Sequence, residues 1–279
     1  MADVLIAVAG AAIVVAIGID IAITLLHPSA RGPVSEIVNR SAWRLVRAFS
    51  PNRNALSYAG PAAIFTSVLM WVVGLWFGCA LVYMTAMDAG DALYTSGEAV
   101  STVGFGNVEF DPEWLRYVAV AEAAGGLGAF TAAIAYVLSV YPLVSDIRAS
   151  ALFATLIAEA GDTSQVSVLT RRLIESHEHV KRFPVLYYFE SGHHAESLIA
   201  LLRAAVRMAA IVREAGDDRR AVPLERALNR LFDDLEQDYI GGGLKRRGRE
   251  LEAGSFAERA EAVIGALAEE HRAPHATAA

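Results

Sequence analysis

The sequence predicts an all-α membrane protein, in which an apolar amino-terminal half spans a membrane and a charged carboxyl-terminal half is helical. The chain has 279 residues, of which 54% are hydrophobic, and its mean hydropathy of +0.38 is too high for an ordinary soluble protein. Charge is distributed unevenly, because residues 1–145 contain 6 Lys and Arg against 10 Asp and Glu, and residues 146–279 contain 18 against 21. The net charge of −7 therefore describes two chemically different halves.

Three apolar runs are long enough to cross a bilayer, which takes about 20 residues of helix. Val4 to Leu26 contains one charged residue, Asp20; Pro61 to Met87 contains none; and Tyr117 to Val144 contains one, Glu122. The first run is too long for the apolar part of a signal peptide and has no basic residue before it, so we expect a retained helix. The third run continues with few charges, which predicts a helix that extends beyond the membrane.

The connection between the first two spans is basic, whereas acidic residues predominate on the other side of the membrane. Because basic loops stay on the cytoplasmic side, we expect the amino terminus outside and the carboxyl-terminal half inside the cell. Apolar residues between Val34 and Phe49 recur at helical spacing, with Arg40, Arg44 and Arg47 on the opposite face. This pattern predicts a helix along the inner membrane surface, the alternative being a helix packed on the cytoplasmic domain.

The segment between the second and third spans contains a short helical stretch followed by a glycine-rich one. Residues 92–101 favour a helix too short to cross a membrane, whereas Thr102-Val103-Gly104-Phe105-Gly106-Asn107 alternates glycine with larger residues. Consecutive carbonyl oxygens that face one axis can replace the water around a dehydrated cation. An ordinary strand alternates its carbonyls, so every second residue must take an unusual backbone conformation, which glycine adopts at little cost. One chain supplies one such loop, and a closed ion cage therefore requires four chains.

This segment resembles the filter of the potassium-channel pore-loop family, whose signature runs Thr-x-Gly-Tyr/Phe-Gly-Asp/Asn. The similarity extends upstream to Ala92-Leu93 and Glu98 and downstream to Gly126, and it covers about residues 61–144. It implies the pore architecture of that family, with an outer helix, a pore helix, a filter and an inner helix, assembled as a homotetramer. The resemblance assigns the binding of potassium ions to the filter residues Thr102, Val103, Gly104, Phe105 and Gly106.

The resemblance also implies roles for the residues around the filter. Glu98 is expected behind the filter, partly buried, with filter amides and the side chain of Asn107 as its partners. Gly126 matches the hinge glycine of the inner helix, and the residues expected to face the cavity and the inner gate are Leu127, Phe130, Ile134 and Leu138. Pro142 follows them, where its missing amide allows a kink at the gate. The alternative is that these apolar side chains face lipid or neighbouring helices. Phe105 and Asn107 replace the commoner Tyr and Asp, so a hydroxyl tie from the filter to the pore helix is missing.

Two acidic residues lie within the predicted spans, where ionisable side chains are candidates for a function. Glu122 lies one helical turn before Gly126, and we expect it to tie the inner helix to the pore helix, with a direct role in the ion path as the alternative. Asp20 lies near the inner end of the first span, where we expect it to reach water. Cys79 is the single cysteine, which excludes an intrachain disulfide, and we expect it to be buried.

The carboxyl-terminal half is predicted to consist of helices over residues 164–182, 185–214, 223–239 and 255–270, separated by glycine, proline and aspartate. It contains no βαβ nucleotide-binding motif. A short apolar seam that could join subunits is formed by Leu224, Leu228, Leu231 and Leu235. Four histidines could hold a metal or sense pH, although we expect ordinary surface residues: His177, His179, His193 and His194.

Four segments are thus predicted: a transmembrane helix over 1–27, a basic amphipathic segment over 28–60, a pore domain over 61–145 and a helical cytoplasmic domain over 146–279. The expected function is passive, potassium-selective conduction across the plasma membrane by a homotetramer embedded in lipid. A weakly selective cation channel and a membrane-anchored sensor with a vestigial pore are the alternatives. No nucleophile–base constellation or phosphate loop predicts an enzyme, and we expect no cofactor, no metal other than potassium and no nucleic-acid partner.

Overall fold

A computed structural model describes residues 1–26, 33–49, 58–106, 110–189, 196–238 and 255–270 of the chain. Within these residues all regular secondary structure is helical, as predicted. The first five helices are α1 (Ala2–Leu26), α2 (Pro33–Phe49), α3 (Ala59–Tyr83), α4 (Ala89–Val100) and α5 (Trp114–Ala160). They are followed by α6 (Val166–Arg182), α7 (Leu198–Glu214), α8 (Asp218–Asp238) and α9 (Phe256–Glu270), with 3-10 turns at Thr163–Gln165 and Pro184–Tyr188.

Three of the described helices are long and apolar enough to cross a membrane, namely α1, α3 and α5. The prediction of three spans is confirmed in this sense, and the chain is a membrane protein. Since a bilayer core takes about 20 helical residues, the 47 residues of α5 exceed one span. Pro142 lies inside α5 without ending it.

Contacts within the chain define two units, one made of Met1–Trp43 with Pro61–Ser139 and one made of Arg44–Gly60 with Val140–Ala279. In the first unit, α1 packs directly on α3 at positions that carry no side chain. A Cβ on Gly74 would lie 2.7 Å from Cγ1 of Ile17, which shows how closely the two helices approach. Small residues permit such approach between membrane helices.

The environment of Asp20 in α1 differs from the expectation that this side chain reaches water. Its side chain is fully buried and accepts hydrogen bonds from the backbone amides of Val34 and Ser35 and from the indole of Trp71. The sequence prediction failed because the first turn of α2 covers the carboxylate. Cys79 of α3 is buried, as predicted.

In the second unit, helices α6 to α9 enclose a leucine-rich core. The leucine seam of α8, residues 224, 228, 231 and 235, is almost entirely buried against α6 and α7. The prediction that this seam could join subunits is therefore wrong, because the apolar face of α8 is covered within its own chain. The spacing of the leucines predicted an apolar face correctly, but it did not specify the helix that covers it.

Two predicted helix starts in this unit differ from the structure. α8 begins at Asp218 rather than at Pro223, because the Asp217 carboxylate accepts a hydrogen bond from the Arg220 amide at 3.3 Å and caps the first turn. The helix predicted over 185–214 is a 3-10 turn followed later by α7. The hydroxyl of Ser197 accepts from the Ala200 amide at 3.2 Å and so fixes the start of α7.

Candidate functional site

The backbone between α4 and α5 leaves helical geometry directly after α4 ends. Thr102, Gly104 and Gly106 have positive φ angles of 58°, 59° and 72°, and they alternate with Val103 and Phe105. Glycine takes this conformation freely, whereas it costs a residue with a Cβ about 1–2 kcal/mol. The alternation reverses the orientation of every second peptide unit of an extended chain, which is what a row of carbonyls facing one side requires.

Residues 102–106 are exposed on the single chain, including two large apolar side chains. Val103 is 54% exposed and Phe105 is 70% exposed. A non-helical backbone at membrane depth is tolerated only when protein buries it or when it lines a wet cavity. Asn107, which the sequence analysis assigned to filter support, lies outside the described residues.

Glu98, near the end of α4, contacts this segment through both its side chain and its backbone. Its Oε1 accepts a hydrogen bond from the amide of Gly106 at 3.1 Å, and its carbonyl accepts from the amide of Val103 at 3.1 Å. The carboxylate is half-buried. Glu98 therefore holds the two ends of the non-helical segment at a fixed distance from α4.

The short helix α4 is held on one side by α3. The indole of Trp76 donates to the carbonyl oxygen of Leu93 at 2.8 Å, and the hydroxyl of Ser96 lies 2.7 Å from the carbonyl oxygen of Trp76. These contacts pin the middle of α4 to the middle of α3. α4 therefore presents its end, and the segment that follows it, at a defined position.

Glu122 of α5 joins three helices. It is buried, its Oε1 lies 2.5 Å from the Ser96 hydroxyl of α4, and its Oε2 accepts a hydrogen bond from the Tyr83 hydroxyl of α3 at 2.8 Å. The expected tie between α5 and α4 is present, and a bond to α3 adds to it.

Sequence reasoning missed three residues of this arrangement: Trp76, Tyr83 and Ser96. The first two are aromatic residues with polar tips, seven positions apart in a span without charges. When such residues are buried, their N–H or O–H groups need partners, and their spacing of two helical turns places them on one face. This signal was available in the sequence.

Gly126 lies where α5 crosses the end of α4. A Cβ at this position would overlap the carbonyl oxygen of Val100, the last residue of α4. Close packing therefore explains this glycine, while α5 continues through it as helix. The role of Gly126 as a hinge stays a prediction.

The residues predicted to line the inner gate follow Gly126 along α5. Phe130, Ile134 and Leu138 recur every four positions on one face of the helix, and all three side chains are exposed on the single chain. Their exposure is compatible both with a cavity lining and with contact to lipid or to another helix. The gate therefore stays a prediction, and Pro142 with it.

Two histidines of the second unit, His177 and His179, lie beside carboxylates. His177 Nε2 lies 2.7 Å from Asp234 Oδ2, and His179 Nδ1 lies 3.4 Å from Asp146 Oδ2. Among the residues that the structure describes, no group of three or more His, Cys, Asp or Glu side chains is placed to hold a metal. His193 and His194 lie outside the described residues.

Comparison with known proteins identifies the region that contains this site. Residues 66–141, which include α4, the non-helical segment and part of α5, match a family model described as "Ion channel". The chain is 24% identical over 207 residues to the uncharacterized membrane protein YdjJ of Bacillus subtilis (strain 168), a match covering 63% of this chain and 60% of that protein. The chain thus spans about 60% of the length of this relative. No solved structure matches the chain.

Proposed function

Because residues 66–141 carry an ion-channel domain of the pore-loop type, we propose that this chain is one subunit of a homotetrameric, potassium-selective channel. In this proposal α3 is the outer helix, α4 the pore helix, α5 the inner helix, and residues 102–107 the filter. The observation that carries the proposal is the alternation of positive φ angles at Thr102, Gly104 and Gly106. Carbonyl oxygens that face one axis coordinate a dehydrated potassium ion in place of water.

The tetramer follows from the chemistry of the filter. One chain contributes a single row of carbonyls, and an ion that has lost its water needs ligands on all sides. The exposed backbone and apolar side chains of residues 102–106 also require protein around them at membrane depth. Four copies around an axis supply both. The subunit number is measured by the mass of the purified protein in detergent, with a mass of four chains expected.

Orientation and location follow from charge and hydropathy. The arginines of α2 favour the cytoplasmic side, so α1 starts outside the cell and the helices α6 to α9 lie inside it. The three apolar spans support a membrane location, and the plasma membrane is part of this proposal. A cysteine introduced near residue 3 is expected to react with an impermeant reagent added outside intact cells, and one at Ser164 is not.

The experiment that tests the function is a reversal potential measured with potassium on one side of a planar bilayer and sodium on the other. Purified protein is expected to give a potential close to that of potassium. A potential near zero supports the second candidate, a weakly selective cation channel, in which Phe105 lacks the hydroxyl that ties a tyrosine to the pore helix. The absence of any current supports a membrane-anchored sensor whose pore is vestigial.

A further inference from the structure

Asp20 lies in α1, outside the region that matches the ion-channel family, and its carboxylate binds the start of α2. Oδ1 accepts hydrogen bonds from the backbone amides of Val34 at 2.8 Å and Ser35 at 3.1 Å. The hydroxyl of Ser35 donates to Oδ2. The first amides of a helix have no partner within the helix, and here a buried carboxylate from another helix supplies one.

The fourth donor to Asp20 comes from α3. The indole nitrogen of Trp71 lies 2.9 Å from Oδ2, and both side chains are fully buried. A carboxylate has about four acceptor positions, and two helices, α2 and α3, together supply four donors to this one. Removing a partner from this site is expected to destabilise the protein, because it leaves a buried charge without compensation.

Trp71 connects this site to α5. Its ring packs edge-on against Tyr136, with the ring centroids 6.3 Å apart and the planes at 61°. Tyr136 is buried and lies between Ile134 and Leu138, two of the residues predicted to line the inner gate. An unbroken series of contacts therefore runs from the start of α2 through Asp20 and Trp71 to the gate region of α5.

We propose that Asp20 is a positioning residue that couples α2 to the gate region of α5 through Trp71 and Tyr136. The inference rests on the proposed channel function and adds an input to it, the position of α2 at the inner membrane surface. α2 is also bonded directly to α3, because the hydroxyl of Ser67 donates to Oδ1 of Asn39 at 2.8 Å. α2 cannot shift relative to the membrane spans without breaking these bonds or moving the residues that make them.

The first test does not depend on conduction and follows hydrogen exchange of the amides at the start of α2. In Asp20→Asn, the neutral side chain keeps one acceptor oxygen and turns an amide group toward other donors. Exchange of a peptide covering residues 33–43 is expected to become roughly tenfold faster, because hydrogen bonds to a charged group are lost. The matched control is Asp3→Asn, in an exposed position of the same helix. Equal exchange in Asp20→Asn and in the parent protein overturns the proposal.

The second test measures single-channel open probability in bilayers. Trp71→Phe keeps an aromatic ring but loses the indole N–H. Asp20→Asn and Trp71→Phe are each expected to change open probability about threefold or more in the same direction, since both weaken or remove the bond between Asp20 and Trp71. Conductance and ion preference are expected to stay unchanged. Because both residues act through one path, the double variant is expected to shift no further than the larger single variant. Trp114→Phe, at an exposed tryptophan, is the control.

The outcomes separate this proposal from the channel function itself. A parent protein that carries no current overturns the channel and the coupling together. If the parent conducts but neither substitution changes the open probability, the coupling alone is overturned. Additive shifts of open probability in the double variant overturn it as well. If Asp20→Asn does not assemble, Trp71→Phe decides the matter, since it removes one donor and leaves the carboxylate in place.

Discussion

Single residues set the backbone of the proposed filter, and Gly104 shows how. Its φ of +59° belongs to the left-handed region, and nothing lies within 4 Å of the position that a Cβ would take. A side chain here is therefore excluded by backbone conformation and not by crowding. Thr102 has the same positive-φ conformation although it carries a Cβ. Each subunit therefore already contains one residue that bears this conformational cost.

Gly104→Ala is expected to abolish potassium current while leaving the assembled protein intact. The substitution costs about 1–2 kcal/mol in each subunit, and the four subunits of the proposed tetramer would accumulate this cost in the same ring of carbonyls. The measurement is potassium flux into vesicles, with Gly90→Ala as the control, because that glycine is in α4 and also has open space around it. Parent-level flux in Gly104→Ala would show that the segment does not form the ion path.

Glu98 is the residue that links the proposed filter to α4, and its removal is expected to change how long the proposed filter stays conductive. Glu98→Ala leaves the Gly106 amide without its acceptor. If the proposed tetramer buries this amide, the cost is about 1–3 kcal/mol per subunit. Glu98→Gln keeps an acceptor oxygen, and its time course of current is expected to lie between those of the parent and of Glu98→Ala. The time course of current after a concentration jump measures the effect. Identical time courses in all three proteins contradict the assigned role.

At the scale of elements, the crossing of α5 over the end of α4 depends on a glycine. Gly126→Ala is expected to destabilise the protein by about 1–3 kcal/mol, the usual cost of overpacking, because its Cβ overlaps the Val100 carbonyl. Gly128→Ala is the matched control, since nothing lies within 4 Å of its Cβ position and alanine favours helix. The melting temperature in detergent measures both. A Gly126→Ala protein as stable as Gly128→Ala would mean that the two helices do not touch there.

The junction of α3, α4 and α5 depends on the Glu122 carboxylate. Glu122→Leu leaves the Tyr83 hydroxyl without its acceptor, whereas the Ser96 hydroxyl keeps the carbonyl oxygen of Trp76. The substitution is expected to lower stability by about 1–3 kcal/mol. Glu122→Gln keeps an acceptor oxygen and is expected to lose less. Tyr83→Phe added to Glu122→Leu is expected to cost little more, because the bond is already gone. Thermal unfolding is measured for the parent, the two single variants and the double variant. A large further loss of stability on adding Tyr83→Phe to Glu122→Leu would show that Tyr83 contributes independently of Glu122.

The elements themselves were largely predictable from the sequence, and the contacts between them were not. Apolar runs predicted the three spans to within a few residues at most ends, because a membrane helix must satisfy its backbone within itself. Burial of Asp20 was not predictable from α1 alone, since it depends on where α2 folds back. The start of α8 shifted because a capping aspartate outweighed a proline near the helix start.

The backbone conformation of the proposed filter segment was predictable for a different reason. Its chemistry is local, so the positions of the glycines in the sequence already indicate where positive φ angles fall. The supporting contacts of Trp76, Ser96 and Tyr83 are tertiary, and the sequence offered only the presence of polar-tipped aromatics in an apolar span. The leucine seam of α8 shows the same limit, because its spacing predicts an apolar face and leaves the covering element unspecified.

At the scale of the whole molecule, selectivity and regulation are expected to be carried by different parts of the chain. All residues proposed to contact the ion precede Val144, and the residues after it form a charged helical unit with a leucine-rich core. α5 contains both Gly126 and the residues up to Ala160 in one continuous helix. A change in the carboxyl-terminal unit worth about 3 kcal/mol between closed and open states shifts the open fraction over a hundredfold.

Truncation after Ser150 tests this division. The shortened protein is expected to keep the proposed potassium-over-sodium preference, because the proposed filter and its contacts with Glu98 remain. It is expected to change in open probability or in the stability of the proposed tetramer. Reversal potentials, single-channel recordings and the mass in detergent measure the three properties. A truncated protein that conducts without ion preference would show that the carboxyl-terminal unit shapes the filter. If open probability and assembly are both unchanged, the helices α6 to α9 serve another purpose, such as binding a partner inside the cell.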